Sequence, residues 1–213
     1  MAGVGAAPHL AASARLRALA ERIAGAGDGR ISVGEVVDTL GDTGLGLTLL
    51  LLMLPVFIAI PGLPVGIVFG FLVAVLGVQI MGGTDRLRLP GGMRARTLSA
   101  GHVRHVLLAA LPWVARAERW LRTGRLAGLT SPSARRALGL VLVVQGAALA
   151  VPLPFGNHPP ALAVTAIGLG LMERDGVAIA VGLVLSVLGV LWNLLLIFAG
   201  VELLSWAAGR LGW

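Results

Sequence analysis

Between Thr43 and Thr84 the chain carries not one Asp, Glu, Lys or Arg, and no other feature narrows the possible folds so far. One membrane-spanning helix needs about twenty apolar residues, and this run is roughly twice that. Pro61 and Pro64, with Gly62 between them, each restrict the residue before and lack an amide donor, so two helical pieces must share the run. Each piece has about seventeen residues and reaches roughly 25 Å, a little short of a hydrocarbon layer near 30 Å. The pair forms a Pro-broken hairpin, and whether it crosses or dips in and returns stays open.

A second uncharged block, Ala137 to Met172, repeats the plan. An apolar helix containing Gln145 leads into Pro152, Leu153, Pro154, Phe155, Gly156, Asn157, His158, Pro159 and Pro160, and a shorter apolar helix follows. An offset of about ninety-one residues pairs Pro61 with Pro152, Gly77 with Gly168, Met81 with Met172 and Asp85 with Asp175. Four such matches suggest an internal repeat of the kind found in transporters. A third run, Val177 to Val201, is long enough for a full crossing, with Trp192 and Asn193 in its second half and Trp206 and Trp213 near the chain end.

Composition agrees, because 57% hydrophobic and 13% charged residues with a mean hydropathy of +0.91 lie outside the soluble range. The fold class expected is therefore all-α: a multi-pass membrane protein with two Pro-broken, re-entrant or crossing hairpins, amphipathic helices and a C-terminal membrane helix. One domain is expected over 1–213. It divides into a flank (1–43), a first hairpin (44–83), a basic interfacial segment (84–136), a second hairpin (137–172) and a membrane helix (177–205). Cysteine is absent, which excludes disulfides and thiolate chemistry. Lysine is absent too, and an all-arginine basic set beside heavy Ala, Gly, Leu and Val usage reads most simply as compositional bias.

The flank shows no apolar core of signal-peptide type. Leu16, Leu19 and Ile23 fall at helical spacing, and Gly25, Gly27 and Gly29 end that helix. Ser32 and Glu35 make a capping box for a second amphipathic helix carrying Val33, Val36, Val37 and Leu40. Residues 86–136 hold eleven of the seventeen arginines against one acid, Glu118, so this segment and the N-terminus are expected in the cytoplasm. Within it Val103, Val106, Leu107, Ala110, Leu111, Val114, Ala117 and Leu121 form an apolar stripe, with Pro112 a site for a kink. The stripe suits either the membrane surface over anionic lipid headgroups, with Trp113 and Trp120 at headgroup level, or the protein's own core. If both flanks of each hairpin are cytoplasmic, the two hairpins share an orientation; an inverted repeat is the alternative.

Several segments in order carry a family resemblance. They are Ser32-Val33-Gly34-Glu35, the run into Leu54-Pro55, the Pro61-Gly62 break, Gln79, Pro152-Leu153-Pro154-Phe155-Gly156-Asn157 and Gly170-Leu171-Met172-Glu173-Arg174-Asp175-Gly176. Together they resemble the ExoD family of bacterial exopolysaccharide synthesis proteins over residues 30 to 205. Leu89-Pro90 departs from it, since a tryptophan usually neighbours that proline, and no role is carried over for that loop. The resemblance implies a bacterial inner-membrane protein needed for exopolysaccharide production and brings no mechanism.

Helix breaks at membrane depth are costly unless freed backbone groups line a cavity or meet protein. The candidate ligand site is therefore built from Pro61, Gly62, Pro64, Pro152, Pro154, Gly156, Asn157 and His158. Gln79, Gln145, Glu173, Arg174 and Asp175 are added as polar or charged groups at or between apolar runs. Helix N-termini near Pro64 and Pro160 are expected to aim amides at a phosphate or carboxylate, such as a lipid-linked phosphate intermediate. The bland readings are that Asn157 caps a loop, that Gln79, Gln145 and Asn193 bond between helices, and that Glu173-Arg174-Asp175 is a solvated turn. No P-loop, Gly-x-Ser-x-Gly or His-Glu-x-x-His occurs, so no enzyme activity, cofactor or metal is expected. Nucleic acid is not expected as a partner, whereas membrane lipid and a homo-oligomer are. Transport of an anionic or lipid-linked species, a non-transporting scaffold, and proton or cation exchange remain the three function classes.

Overall fold

The computed structural model describes residues 12–25, 29–32, 34–35, 38, 44–57, 65–84, 91–95 and 97–211. Pro61, Gly62, Pro64, Asp85, Leu89 and Pro90 lie outside them, as does most of the second amphipathic helix. The described chain is mostly helical and forms two compact units, Met1–Gly41 with Leu89–Trp120, and Asp42–Arg88 with Leu121–Trp213. The consecutive segments of the sequence are thus grouped non-consecutively.

The first unit pairs α1 (Ala12–Gly25) with α5 (Ala100–Glu118) and joins strands β1 (Arg30–Ser32) and β2 (Thr97–Ser99); α4 (Gly91–Arg94) is a single turn. The amphipathic spacing in α1 buries Leu16, Leu19, Ala20 and Ile23, and α5 meets them with Leu107, Ala110 and Val114. Burial of each large aliphatic chain contributes roughly 1.5–3 kcal/mol. The apolar stripe of α5 is therefore occupied by the protein's own core, the second of the two readings above. The helix runs through Pro112 on its exposed side without ending. Glu118, the lone acid of the basic segment, caps α1: Ser13 donates its amide to Oε1 at 2.7 Å and its hydroxyl to Oε2 at 2.6 Å. The strands pair antiparallel, Arg30 opposite Ser99 and Ser32 opposite Thr97. No alternation or turn signal in the chain announces this ladder. Glu35 donates its amide to Ser32 Oγ at 3.1 Å, one half of the expected capping box.

The second unit contains α2 (Gly44–Phe57), α3 (Val65–Met81), a 3-10 turn (Ala127–Thr130), α6 (Pro132–Ala150), α7 (His158–Glu173) and α8 (Gly176–Leu211). Ser131 caps α6 by accepting the Ala134 amide, with Pro132 at the first helical position. Side-chain and glycine contacts fix the sense of each helix. Gln145 of α6 reaches Ser186 of α8 and Asn193 reaches back to Ala148, so α6 and α8 run parallel. Gly170 lies against Ile179, Gly182 against Ile167 and Gly189 against Pro160, so α7 runs antiparallel to α8. Gly77 meets Gly139, Gly70 meets Gly146 and Gly66 meets Leu149, so α3 runs antiparallel to α6. Gly46 meets Met172 while Gly168 meets Leu49, so α2 runs antiparallel to α7. Hence α2, α6 and α8 point one way, α3 and α7 the other, and the hairpins α2–α3 and α6–α7 have the same sense.

The crossings are made at glycine. A Cβ on Gly70 would stand 2.5 Å from the Gly146 carbonyl oxygen, and one on Gly77 would stand 2.6 Å from the Gly139 carbonyl. Small residues let helix backbones touch, which is the interface chemistry of helices in lipid. One constellation occurs twice: Gly139 sits against Gly77 and Met81, and Gly46 sits against Gly168 and Met172. Between the helices Leu49, Met53, Val73, Leu76, Leu142, Leu149, Val164 and Ile167 form the core. The outward faces are apolar as well, with Phe71, Val78, Leu140, Val184, Val187, Leu195 and Phe198 exposed. Among the described residues two helices, Pro132–Ala150 and Gly176–Leu203, are long and apolar enough to cross a membrane. The apolar helix α3, with 17 residues, is shorter.

Candidate functional site

The α6–α7 turn is the tip of the second hairpin. α6 ends at Ala150, and Pro152, Leu153, Pro154, Phe155 and Gly156 turn the chain before Asn157 leads into α7. Phe155 is held at φ 59°, an uncommon value for a residue with a Cβ. Its carbonyl accepts the Trp192 indole N–H at 3.2 Å. Gly156 is buried, and a Cβ there would come 2.9 Å from Asn193 Oδ1 and 2.7 Å from Leu153 Cβ. Asn157 faces Gly66 at the start of α3, where a Cβ would lie 2.6 Å from its Nδ2. Pro152, Pro154 and His158 are exposed.

Two buried oxygens at this tip lack a partner. Asn157 Oδ1 and Asn193 Oδ1 are buried without a hydrogen-bond partner, while Asn193 Nδ2 donates to the Ala148 carbonyl at 3.3 Å. Pro159 and Pro160 carry no amide hydrogen, and the Ala161 amide is already bonded to the Asn157 carbonyl at 3.1 Å. At the α7 N-terminus the two prolines remove half of the four donors a helix start offers, leaving the amides of Asn157 and His158.

Two turns of α6 before the tip, Gln145 is buried and donates Nε2 to the Ser186 carbonyl at 3.1 Å. Gln145 Oε1 and Ser186 Oγ are also without partners, as is Thr48 Oγ1. A buried polar atom left unpaired costs about 1–3 kcal/mol, so such a concentration in one unit is unusual.

The remaining candidates lie at the opposite end of the bundle, one helix length away. Gln79 is in the last turn of α3, half-buried, its carbonyl accepting the Thr84 amide. Arg174 is exposed at φ 52° and Glu173 is half-buried. Asp175 is fully buried and paired with Arg125, not with the adjacent Arg174. Its Oδ2 accepts the Arg122 amide at 2.8 Å and its Oδ1 accepts the Val177 amide at 2.9 Å, so it caps α8 and ties it to the loop before α6. Burial pushes this carboxyl up, but the Arg125 hydrogen bond, the Arg122 and Val177 amides and the Arg125 charge together hold it below its usual value. Every acceptor direction of Asp175 is thus committed to structure.

The structure therefore brings Gly156 and Asn157 together with Asn193 and places Gln145 on the same α6–α8 seam. It separates them from Gln79, Glu173, Arg174 and Asp175. Ser186 was overlooked in the sequence, although a serine seven residues before Asn193 repeats the helical period that marks one face. In the first unit a cleft of about 760 Å³ is lined by Arg22, Ser32, Glu35, Asp38 and Arg94, the last two ion-paired. No group of three His, Cys, Asp or Glu among the described residues is placed to hold a metal.

The model of a family described as "Exopolysaccharide synthesis, ExoD" matches residues 12–195. An uncharacterized protein of Synechocystis sp. is 27% identical over 158 residues, 74% of this chain and 74% of the relative. Protein ExoD of Rhizobium meliloti is 30% identical over 159 residues, 71% of this chain and 64% of that protein. No solved structure matches.

Proposed function

The chain belongs to the ExoD family, and from that premise we propose that it is a multi-pass inner-membrane protein that moves a polar intermediate of exopolysaccharide synthesis across the bilayer. The supporting observation is how deep the α6–α7 tip lies along α8. That helix has 36 residues and is about 54 Å long at 1.5 Å per residue. Asn193, level with the tip, comes roughly 26 Å from its start. Beyond it Leu194, Leu195, Phe198, Val201 and Leu203 are exposed, a Cβ on Gly200 would meet nothing within 4 Å, and Trp206 stacks under Arg210.

Trp and Arg at a helix end mark a headgroup level, and this pair is about 20 Å past Asn193. With α8 crossing the bilayer, the tip turns back inside it, and the α6–α7 hairpin is re-entrant. The arginines at the other end, Arg125, Arg135 and Arg136, put that end in the cytoplasm by the positive-inside bias. The duplicated Gly–Gly–Met contact and the common sense of the hairpins support an internal repeat about an axis along the bundle, the parallel arrangement.

A non-helical turn at such depth is sustained where it lines a cavity or faces protein. The unpaired oxygens of Asn157 and Asn193 suit the hydroxyl donors of a saccharide, carried on a lipid whose tail stays in the membrane. The phosphate of such a lipid is left to the arginine-rich end rather than to the tip. The test uses full-length protein in vesicles with a fluorescent lipid-linked oligosaccharide, whose transfer between leaflets is read by quenching from one side. Wild-type protein speeds transfer, and Asn157→Leu abolishes the gain while leaving the fold intact by circular dichroism. No gain with wild-type protein, together with co-purification of polysaccharide-synthesis proteins, would point to the scaffold role instead.

A further inference from the structure

We propose that the seam between α6 and α8 is a hydrated file, a row of sites for small hydrogen-bond donors or a monovalent cation, running from the Asn157 tip to the middle of the bundle. Gln145, Ser186 and Asn193 line it, each at least nine-tenths buried. This goes beyond the transport reading and does not depend on which cargo moves; it requires only that α8 is in the membrane.

Each of the two buried amides leaves its oxygen over. Gln145 Nε2 faces the Ser186 carbonyl and Asn193 Nδ2 faces the Ala148 carbonyl. A carbonyl only accepts, so neither amide can be turned around without setting oxygen against oxygen. Both amide oxygens therefore point elsewhere, and neither has a partner, nor has Ser186 Oγ. Ser186 and Asn193 are two helical turns apart on one face of α8, about 10 Å along its axis. Gly156 abuts Asn193 Oδ1, and the neighbouring Asn157 contributes another unpaired oxygen at the upper end.

All these ligand atoms are neutral oxygens. The described acids of this unit, Glu173, Asp175 and Glu202, lie at the cytoplasmic end or beyond the tip. Neutral oxygens without a carboxylate are poor ligands for a divalent ion, which draws on carboxylates. They suit water, or a weakly held monovalent cation of the kind that backbone carbonyls bind in channels. Both possible occupants share one requirement: the seam must be open to the aqueous phase.

The chain lacks cysteine, so single-cysteine variants of the full-length protein in vesicles give a direct test. Ser186→Cys is compared with Val187→Cys, whose side chain is exposed on the outer face of α8, and with Thr123→Cys in an exposed loop. The probe is Ag⁺, about the size of a water molecule, which reacts with the thiolate and so requires water at the site. Thiols that survive are counted with a fluorescent maleimide after denaturation.

A hydrated file predicts that Ser186→Cys reacts at least about tenfold faster than Val187→Cys, since a thiol in apolar surroundings stays protonated and inert. Replacing Na⁺ and K⁺ by N-methylglucamine separates the occupants: unchanged rates assign water, and faster rates without the alkali ion assign a bound cation. Equal, slow reaction of Ser186→Cys and Val187→Cys in every medium overturns the proposal. Ser186→Ala gives an independent reading. Its Tm falls if the hydroxyl is hydrated, and an unchanged or raised Tm counts against the file.

Discussion

Replacing Gly70 with alanine introduces one methyl group where the α3–α6 crossing has no room for it. The new Cβ would lie 2.5 Å from the Gly146 carbonyl oxygen, 2.8 Å from the Ala150 nitrogen and 3.0 Å from Leu149 Cβ. Two of those three atoms are helix backbone, which no rotamer change can move. Relief requires the helices to part by up to about 1 Å, which forfeits a quarter to a half of the dispersion energy along the contact. Overpacking of this kind costs about 1–3 kcal/mol. Gly→Ala in a helix also brings a gain of roughly 0.5–1 kcal/mol from backbone entropy. That gain is measured separately with Gly200→Ala in α8, where nothing lies within 4 Å of the new Cβ. The difference between the two variants isolates the collision, and about 1–3 kcal/mol corresponds to a Tm gap of roughly 2–10 °C for a unit of this size. The assay is thermal unfolding of the detergent-solubilised protein followed by tryptophan fluorescence. A Gly70→Ala protein that melts at or above the temperature of Gly200→Ala would refute the close crossing and, with it, the helix senses derived from the glycines.

Asp175→Ala removes the partner of Arg125 and uncaps two amides, and the loss is expected at about 2–4 kcal/mol. That is near the lower part of the range for broken buried pairs, because Arg125 is partly exposed and can rehydrate. Since the folded carboxyl titrates below its unfolded value, its contribution is fully present above about pH 4 and is lost as pH falls through the folded pKa; a pH–Tm profile that the Asp175→Ala variant flattens at the acid end checks this. In the first unit, Leu107→Ala opens a cavity against α1 and should cost about 2–5 kcal/mol, read as increased proteolysis at α1. Trp113 and Trp120 are exposed, and Arg116 lies over the Trp113 ring. We expect this opposite face of α5 to rest on anionic lipid, so brominated lipids in acidic vesicles quench wild-type fluorescence more than that of a Trp113→Phe, Trp120→Phe protein, and added salt weakens the effect.

What the sequence showed plainly were features written locally. The charge-free runs located α2, α3, α6 and α7, and the spacing of Leu16, Leu19 and Ile23 located α1. Contacts set by distant residues were not legible. The pairing of β1 with β2 spans more than sixty residues and involves only three residues on each strand. Asp175 takes its charge partner from Arg125, fifty residues earlier, and nothing in the Glu173-Arg174-Asp175 triplet marks that pairing. The glycines were discounted as compositional bias, yet Gly66 and Gly70, four apart, and Gly139 and Gly146, seven apart, already traced helix faces. At the α6–α7 tip the prolines were read as helix breakers, which they are, but not as missing donors, so the number of amides the α7 N-terminus can offer was overcounted. The polar residues Gln145 and Asn193 stood out within apolar runs, and their partners became apparent only from the packing of α6 on α8.

The depth of the α6–α7 turn carries the whole account, and it can be measured by placing a nitroxide at Phe155→Cys in vesicles and comparing collisions with dissolved oxygen and with a water-soluble nickel chelate. A turn held inside lipid predicts strong relaxation by oxygen and little by nickel, far from the values of a label at Thr123→Cys. Nickel accessibility equal to that loop label would put the turn in water and remove the basis for a polar pathway through the membrane.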